Sequence, residues 1–423
     1  MTENDGLHSL FHGLECQKCG AIHPLGTSCC PKDGGLLLAD YKLEKGHTSV
    51  QFRSDEVGVW RFSPLLPPLE RHLSRGEGST PMLPSRKWGR KLGLDLFFKD
   101  EGANPSGSFK DRGVAIMVSA LDRTTQTVIM MSSGNASSSV ALYSALAGVH
   151  PVVLMYQGGT RAKVLMTQAY GATVFAVHAE REGDVLHLAE TIAQKKGWPL
   201  MNTTAMGNPL VVEGYKTLSY ELAEELKEVD VVLVPMASGT LLCGIWKGFD
   251  EVHQLGMISR VPRLVGVQPT GSCPIVKAFE AGLKDVPRLP ETPDTIAAAL
   301  SLDDPGESGA LTLRAIRETE GGFIAVEDKA ILSACQSLAL DETIFVEPAA
   351  AAGFAAIPEA LKHGVIRKGE RVVCVLTGHG LKDIDPVAQS LPAITTITAE
   401  ESEFMTAYGM TNKTATNLQE KRY

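Results

Sequence analysis

The sequence predicts an α/β protein whose helices pack on largely parallel sheets. Three observations carry this expectation. Short β-branched runs alternate with helix-length segments from about residue 94 onward. Loops of unusual composition stand at the strand-to-helix junctions, where sheets of this kind place their ligands. The composition is balanced, with 44% hydrophobic and 21% charged residues over 423 positions. A chain of that length buries a large core and, at roughly 150 residues per domain, admits two or three domains. Disorder, collagen-like repeats and low-complexity scaffolds are excluded on the same grounds. The formal net charge of −9 argues against a general nucleic-acid binder, which needs a basic surface, and leaves room for a local anion pocket.

In chain order, residues 1–45 form a cysteine-bearing lead-in. Residues 46–93 are irregular, rich in proline and arginine, and end in Gly76-Glu77-Gly78-Ser79-Thr80-Pro81. Leu94–Lys99 reads as a strand and Asp111–Leu121 as a helix with apolar residues at helical spacing. Thr127–Met131 is strand, Ser138–Leu146 helix, Pro151–Tyr156 strand and Lys163–Tyr170 helix. Thr173–Val177 and Val231–Pro235 are further strands, followed by helices over Val185–Lys195 and Leu241–Val252. Arg263–Gln268 and Arg371–Leu376 complete the strands, and the tail from Pro386 reads as an extended strap. Trp60 and Leu65–Pro68 are expected to pack the lead-in onto the body. The glutamates of 221–228 and 400–403 read as solvated faces.

The acidic start Met1–Gly6 lacks the basic region and apolar run of a secretory signal. No segment approaches the roughly 20 apolar residues of a spanning helix. The expectation is a cytoplasmic protein without a membrane partner. Of eight cysteines, Cys243, Cys273, Cys335 and Cys374 are scattered singly in apolar surroundings and read as buried thiols. The other four crowd into Cys16-Gln-Lys-Cys19-Gly and Cys29-Cys30-Pro-Lys-Asp33-Gly, a degenerate zinc-ribbon pattern. Cys16, Cys19, Cys30 and Asp33 are the candidate ligands, with Cys29 and His23 as alternatives to complete the set. A metal-free relic is the competing reading.

Four loops carry the candidate chemistry. Asn104–Gly113 places Lys110 at the mouth of a helix after a turn of small residues. The partial positive charge there disfavours a second cation and lowers the lysine toward nucleophilic use. An ordinary surface lysine on a first helical turn is the alternative. Ala237, Ser238, Gly239, Thr240 and Leu241 lie between a buried strand and an amphipathic helix, where N–H groups and hydroxyls cradle a phosphate dianion. Ser132, Ser133, Gly134, Asn135 and Ala136 offer hydroxyls, an amide and a helix N-terminus suited to a carboxylate. Thr377 follows the last strand. Together a nucleophilic lysine, a phosphate cradle, a carboxylate loop and a hydroxyl beyond a strand suggest pyridoxal phosphate held as a Schiff base. Without a glycine fingerprint or an acidic ribose partner, flavin and nicotinamide readings fall away.

The set Asn104–Gly113, Ser132–Ser137, Glu213–Thr217, Phe345–Ala351 and Thr377–Asp383 resembles the threonine synthases, within the tryptophan-synthase-β-like (fold type II) pyridoxal-phosphate family. The similarity runs in order from about Cys16 to Asp383. It implies two parallel-sheet α/β domains with the active site between them, plus the small cysteine-rich lead-in. The large cofactor domain then spans 46–122 and 226–385, the small domain 123–225, and the strap 386–423. The resemblance implies that Lys110 forms the imine and serves as acid/base, Phe109 packs beside the ring, and Asn135 bonds the ring hydroxyl. It further implies that Ala237–Leu241 hold the cofactor phosphate, Thr377 faces the pyridine nitrogen, and Lys163 with Ser132, Ser133, Gly134 and Ala136 meets substrate. A neutral hydroxyl does not hold a proton on that nitrogen, so the ring is a weaker electron sink, which favours elimination and replacement.

By the same resemblance the substrate is O-phospho-L-homoserine, the product L-threonine, and the assembly a homodimer. Three places depart from the family, the first being the cradle, usually richer in glycine, where Ala237, Ser238 and Thr240 stand. Val211 stands where an arginine is common, and Ile296–Pro305 lacks an arginine while carrying Asp303 and Asp304. A substrate phosphate then relies on Lys163, Arg161 or Lys216. A related β-elimination or β-replacement enzyme therefore stays open, as does a catalytically silent binding relative, against which the intact Lys110 speaks. His379 and Glu347 are each open between a site role and a structural one.

Overall fold

The computed structural model describes residues 10–43, 50, 52–157, 159–389 and 391–408. The acidic start and the chain's last fifteen residues lie outside them. In the lead-in, β1 (Phe11–Cys16), β2 (Ile22–His23) and β3 (Leu37–Tyr41) pair antiparallel in the order β2-β1-β3. The period-2 alternation of β3 divides its side chains. Leu37, Ala39 and Tyr41 join Leu14, Cys16 and Cys30 in a small private core. Leu36 and Leu38 point the other way, onto Ala205, Val212, Cys243 and Leu311 of the body.

The strands then follow as β4 (Met82–Pro84), β5 (Asp95–Asp100), β6 (Thr127–Met131), β7 (His150–Tyr156), β8 (Thr173–Val177), β9 (Val231–Pro235), β10 (Arg263–Pro269), β11 (Gly322–Val326) and β12 (Arg371–Leu376). One sheet has the order β11-β10-β9-β12-β5-β4, parallel except for the antiparallel edge strand β4. A second, parallel sheet has the order β6-β7-β8. Strand β12 is central, pairing Cys374 with both Phe98 of β5 and Leu233 of β9. All five residues of β9 are buried, as a parallel strand covered on both faces requires. This register brings the carboxyl ends of β5, β9 and β12 side by side, and the loops beyond them converge.

The helix Pro209–Leu226 packs against the helices Lys110–Ser119 and Thr240–Gln254 and against β3. Proline at its first turn and Asn208, whose side chain accepts from the Leu210 N–H at 3.0 Å, fix its start. Its glutamates correct one expectation from the charge run. Glu224, Glu225 and Glu228 are exposed, but Glu221 is buried. Arg112 lies between Glu221 and Glu101, donating from Nη1 to Glu221 at 2.6 Å and from Nε to Glu101 at 2.7 Å. Lys99 adds a second cation 2.9 Å from Glu221. Burial pushes the Glu221 carboxyl up, yet Arg112 and Lys99 outweigh it and hold the group at about 2.

Trp60 is buried and stacks on His72 at 4.1 Å, and Leu65 and Leu66 enter the main core. The four single cysteines are all buried. The tail differs from an extended strap, because 385–389 and 401–408 are helical and 391–400 are irregular. Phe404 and Tyr408, four apart, stack at 5.7 Å along that last helix. Among the described residues no helix is long and apolar enough to cross a membrane.

Candidate active site

Lys110 opens the helix Lys110–Ser119 at the floor of a cavity of about 360 Å³. The helix start is built by Asp111, which accepts from the Ser106 N–H and hydroxyl at 2.6 Å each and from Ser139 at 2.5 Å. The Lys110 amine lies 3.5 Å from the Thr203 hydroxyl and 4.8 Å from the Phe109 ring centroid. Burial lowers it from the ordinary 10.5 to about 8. The direction matches the sequence expectation, and burial is the cause that the structure shows.

The phosphate-type loop leaves β9 and enters the helix Thr240–Gln254. Gly239 caps that helix at φ +85°, a conformation open to glycine, and a Cβ there would meet Thr312 Oγ1 at 1.9 Å. The first four N–H groups of a helix have no partner within it, so this turn presents donors to the cavity. Ser238 and Thr240 hydroxyls, 3.0 Å apart, stand beside them. Across the cavity Thr377 is buried, and its carbonyl accepts from the Phe109 N–H at 3.1 Å, tying the end of β12 to the lysine loop.

Asn135 opens the helix Asn135–Ala147 and donates to Glu347 Oε1 at 2.6 Å, while its own buried Oδ1 has no partner. Lys163 is buried and pairs with Glu347 Oε2 at 3.2 Å and Asp383 at 3.8 Å. Burial raises Asp383 to about 6 and lowers Lys382 to about 8. Lys382 sits behind this group, donating to Ser138 at 2.7 Å.

All of Phe109, Lys110, Ser132, Ser133, Gly134, Asn135, Ala136, Lys163, Ala237, Ser238, Gly239, Thr240, Leu241 and Thr377 line this one cavity. So does Glu347, whose side chain makes no bond to the helix it precedes, which leaves the capping reading without support. His379 does not line it; the ring accepts from the Leu381 N–H and packs against Phe345. Neither do Arg161, Val211 and Lys216. Val211 is buried in the main core, and Lys216 is held at 2.6 Å by Glu213 and 3.0 Å by Glu251. Thr203 and Glu182 line the cavity without being marked as site residues by the sequence. Ala298–Ser301 also line it and belong to Ile296–Pro305, the segment noted above as departing from the family. Burial, then Asp303, pushes the Glu182 carboxyl up. The hydroxyl pair Thr203-Thr204 is the one local signal that points to Thr203 or Glu182.

The donor set fits pyridoxal phosphate. A glycine-walled helix start suits a phosphate, the orphaned Asn135 oxygen suits a hydroxyl donor, and a desolvated lysine suits an aldehyde. Fold and site thus define an α/β enzyme of the aldehyde-cofactor class, with its cavity at the strand ends. The model of the family described as pyridoxal-phosphate dependent enzymes matches residues 73–378, and the chain belongs to that family. The particular kind is a threonine synthase-like lyase of fold type II. The chain is 37% identical over 385 residues to a threonine synthase of Methanocaldococcus jannaschii, covering 88% of this chain and 93% of that one. It is 34% identical over 324 residues to a threonine synthase of Mycobacterium tuberculosis, covering 76% and 86%. Among solved structures it is similar to maize serine racemase, with a TM-score of 0.62 and 25% identity over 74% of this chain and 91% of that one. The T.th. threonine deaminase gives a TM-score of 0.59 and 30% identity, covering 71% and 92%.

Proposed function

We propose that the chain converts O-phospho-L-homoserine and water to L-threonine and phosphate, with pyridoxal 5'-phosphate held by Lys110. The observation that carries this reading is the desolvated Lys110 amine on the floor of the cavity that the phosphate-type turn also lines. The bound cofactor supplies an electron sink for the amino acid's α-carbon. Ala237–Leu241 bind its phosphate through N–H groups and hydroxyls, Phe109 packs beside its ring, Asn135 bonds its ring hydroxyl, and Thr377 faces its pyridine nitrogen. Ser132–Ala136 bind the substrate carboxylate. The Lys110 amine, near neutrality at about 8, takes and returns protons at Cα and Cβ. The large domain in this reading spans 46–122 and 226–385, and the small domain 123–225.

One observation favours a second reading, a related elimination or replacement on a less charged amino acid. Among the described residues lining the cavity, the cations are Lys110 and Lys163; Lys163 is already paired with Glu347 and Asp383, and Glu182 adds a carboxylate. A substrate dianion meets weak attraction there. The test is turnover of O-phospho-L-homoserine by purified protein, read as phosphate and threonine appearing in equal amounts and lost in Lys110→Ala. Ammonia and 2-oxobutanoate from threonine, with no phosphate released from O-phospho-L-homoserine, overturns the first reading for the second.

A further inference from the structure

The lead-in holds two turns that repeat one another. Cys16-x-x-Cys19-Gly20 and Cys30-x-x-Asp33-Gly34 have the same spacing, with Asp33 at the place of Cys19. Their backbones match bond for bond. The Gly20 N–H donates to Cys16 O at 2.9 Å and the Gly34 N–H to Cys30 O at 2.8 Å. The Cys16 N–H donates to Ala21 O and the Cys30 N–H to Gly35 O, both at 2.9 Å. Both glycines have φ +69°. The two turns face each other so that the three Sγ atoms and one Asp33 oxygen lie within 4.8 Å of one another.

We propose that Cys16, Cys19, Cys30 and Asp33 bind one zinc ion as a closed tetrahedral site. The edges fit. Zinc bonded to sulfur at about 2.3 Å and to oxygen at about 2.1 Å gives tetrahedral edges of about 3.8 Å for S···S and about 3.6 Å for S···O. The Cys19–Cys30 sulfurs stand 3.8 Å apart, and Cys16 Sγ stands 3.4 Å from Asp33 Oδ1. A disulfide needs about 2.05 Å. Three sulfurs with one carboxylate select zinc over the hard cations, and four protein ligands leave no open position, so the role is structural. The segment has reason to need a staple, because its private core holds six buried residues. Exposed Cys29 is outside the cluster, and so is His23.

Metal analysis of the tag-free, cofactor-loaded full chain is expected to find about one zinc per chain. Asp33→Ala is expected to lose zinc to a chelator about tenfold faster or more. Asp33→Cys, which completes a four-sulfur set, is expected to hold it at least as firmly as the native chain, and Cys29→Ser to leave zinc content unchanged. The cofactor's own absorbance reports that each variant is folded, and Asp33→Asn replaces Asp33→Ala if that variant is not. Far less than one zinc after growth in zinc-supplemented medium overturns the proposal. Iron in its place, a Cys19–Cys30 disulfide in the native mass, or unchanged zinc retention in Asp33→Ala does so equally.

Discussion

Replacing Lys110 by methionine is expected to stabilise the cofactor-free protein while abolishing its chemistry. Burial takes the amine from 10.5 to about 8. At about 1.4 kcal/mol per pH unit, holding that ammonium in the fold at pH 7 costs about 3 kcal/mol. The side chain is half-buried, and solvent reaching it reduces the figure to about 1–3 kcal/mol. Between about 8 and 10.5 the unfolded chain carries this proton and the folded chain does not, so stability rises with pH across that window. Below 8 both states are protonated and the penalty is constant. Methionine is close in length, uncharged and tolerant of irregular packing, so it removes the penalty without opening a large void. Urea unfolding of both cofactor-free proteins reads the difference. The variant is expected to be the more stable at pH 7, with the gap closing toward pH 10.5. Equal stability at pH 7, or a gap that ignores pH, would refute the assignment of the shift to desolvation.

Two further outcomes follow from buried geometry. Glu221→Ala leaves Arg112 short of one carboxylate in the core and is expected to cost about 3–5 kcal/mol in urea unfolding. In the native chain the stability from Glu221, held at about 2, is present above the usual 4.5 and lost as pH falls through about 2. The variant's acid-unfolding slope is therefore expected to be shallower across that interval. Gly239→Ala places a Cβ 1.9 Å from Thr312 Oγ1 at φ +85°. It is expected to destabilise by about 1–3 kcal/mol and to weaken cofactor binding at least tenfold in an absorbance titration, about 1.4 kcal/mol.

Much of the fold could be read from local pattern. The strands expected over Thr127–Met131, Thr173–Val177, Val231–Pro235 and Arg371–Leu376 have those bounds in the structure. Thr127–Met131, Val231–Pro235 and Arg371–Leu376 are short apolar runs that a parallel sheet buries, so local preference and tertiary environment agree; Thr173–Val177 is an edge strand and stays largely exposed. Strand β4 carries no such signal, whereas β11 is itself a short buried apolar run that is missing from the strands expected of the sequence. β4 is three residues long and contains proline, and β11 opens on a glycine at the sheet's edge. The loops that meet in the cavity were legible because phosphate and carboxylate binding demand small residues and free N–H groups in contiguous turns. Glu221 was misread as solvated because its partners, Arg112 and Lys99, are distant in sequence, and no charge pattern reveals that a helix face is covered. Glu182 and Thr203 arrive by tertiary folding from elements whose own sequences serve helix and loop.

The helix Gly306–Glu318 gives the lead-in a reach its size does not suggest. At one end Glu307 takes the Lys18 ammonium and the Leu36 N–H, and farther along Arg314 donates to Gln17. Between them Thr312 lies under Gly239. One rigid beam therefore carries both the amino-terminal sheet and the floor of the anion cradle. Loosening the amino-terminal sheet is expected to disturb the turn at Gly239 and to speed loss of the vitamin-derived group, read as its absorbance after dilution.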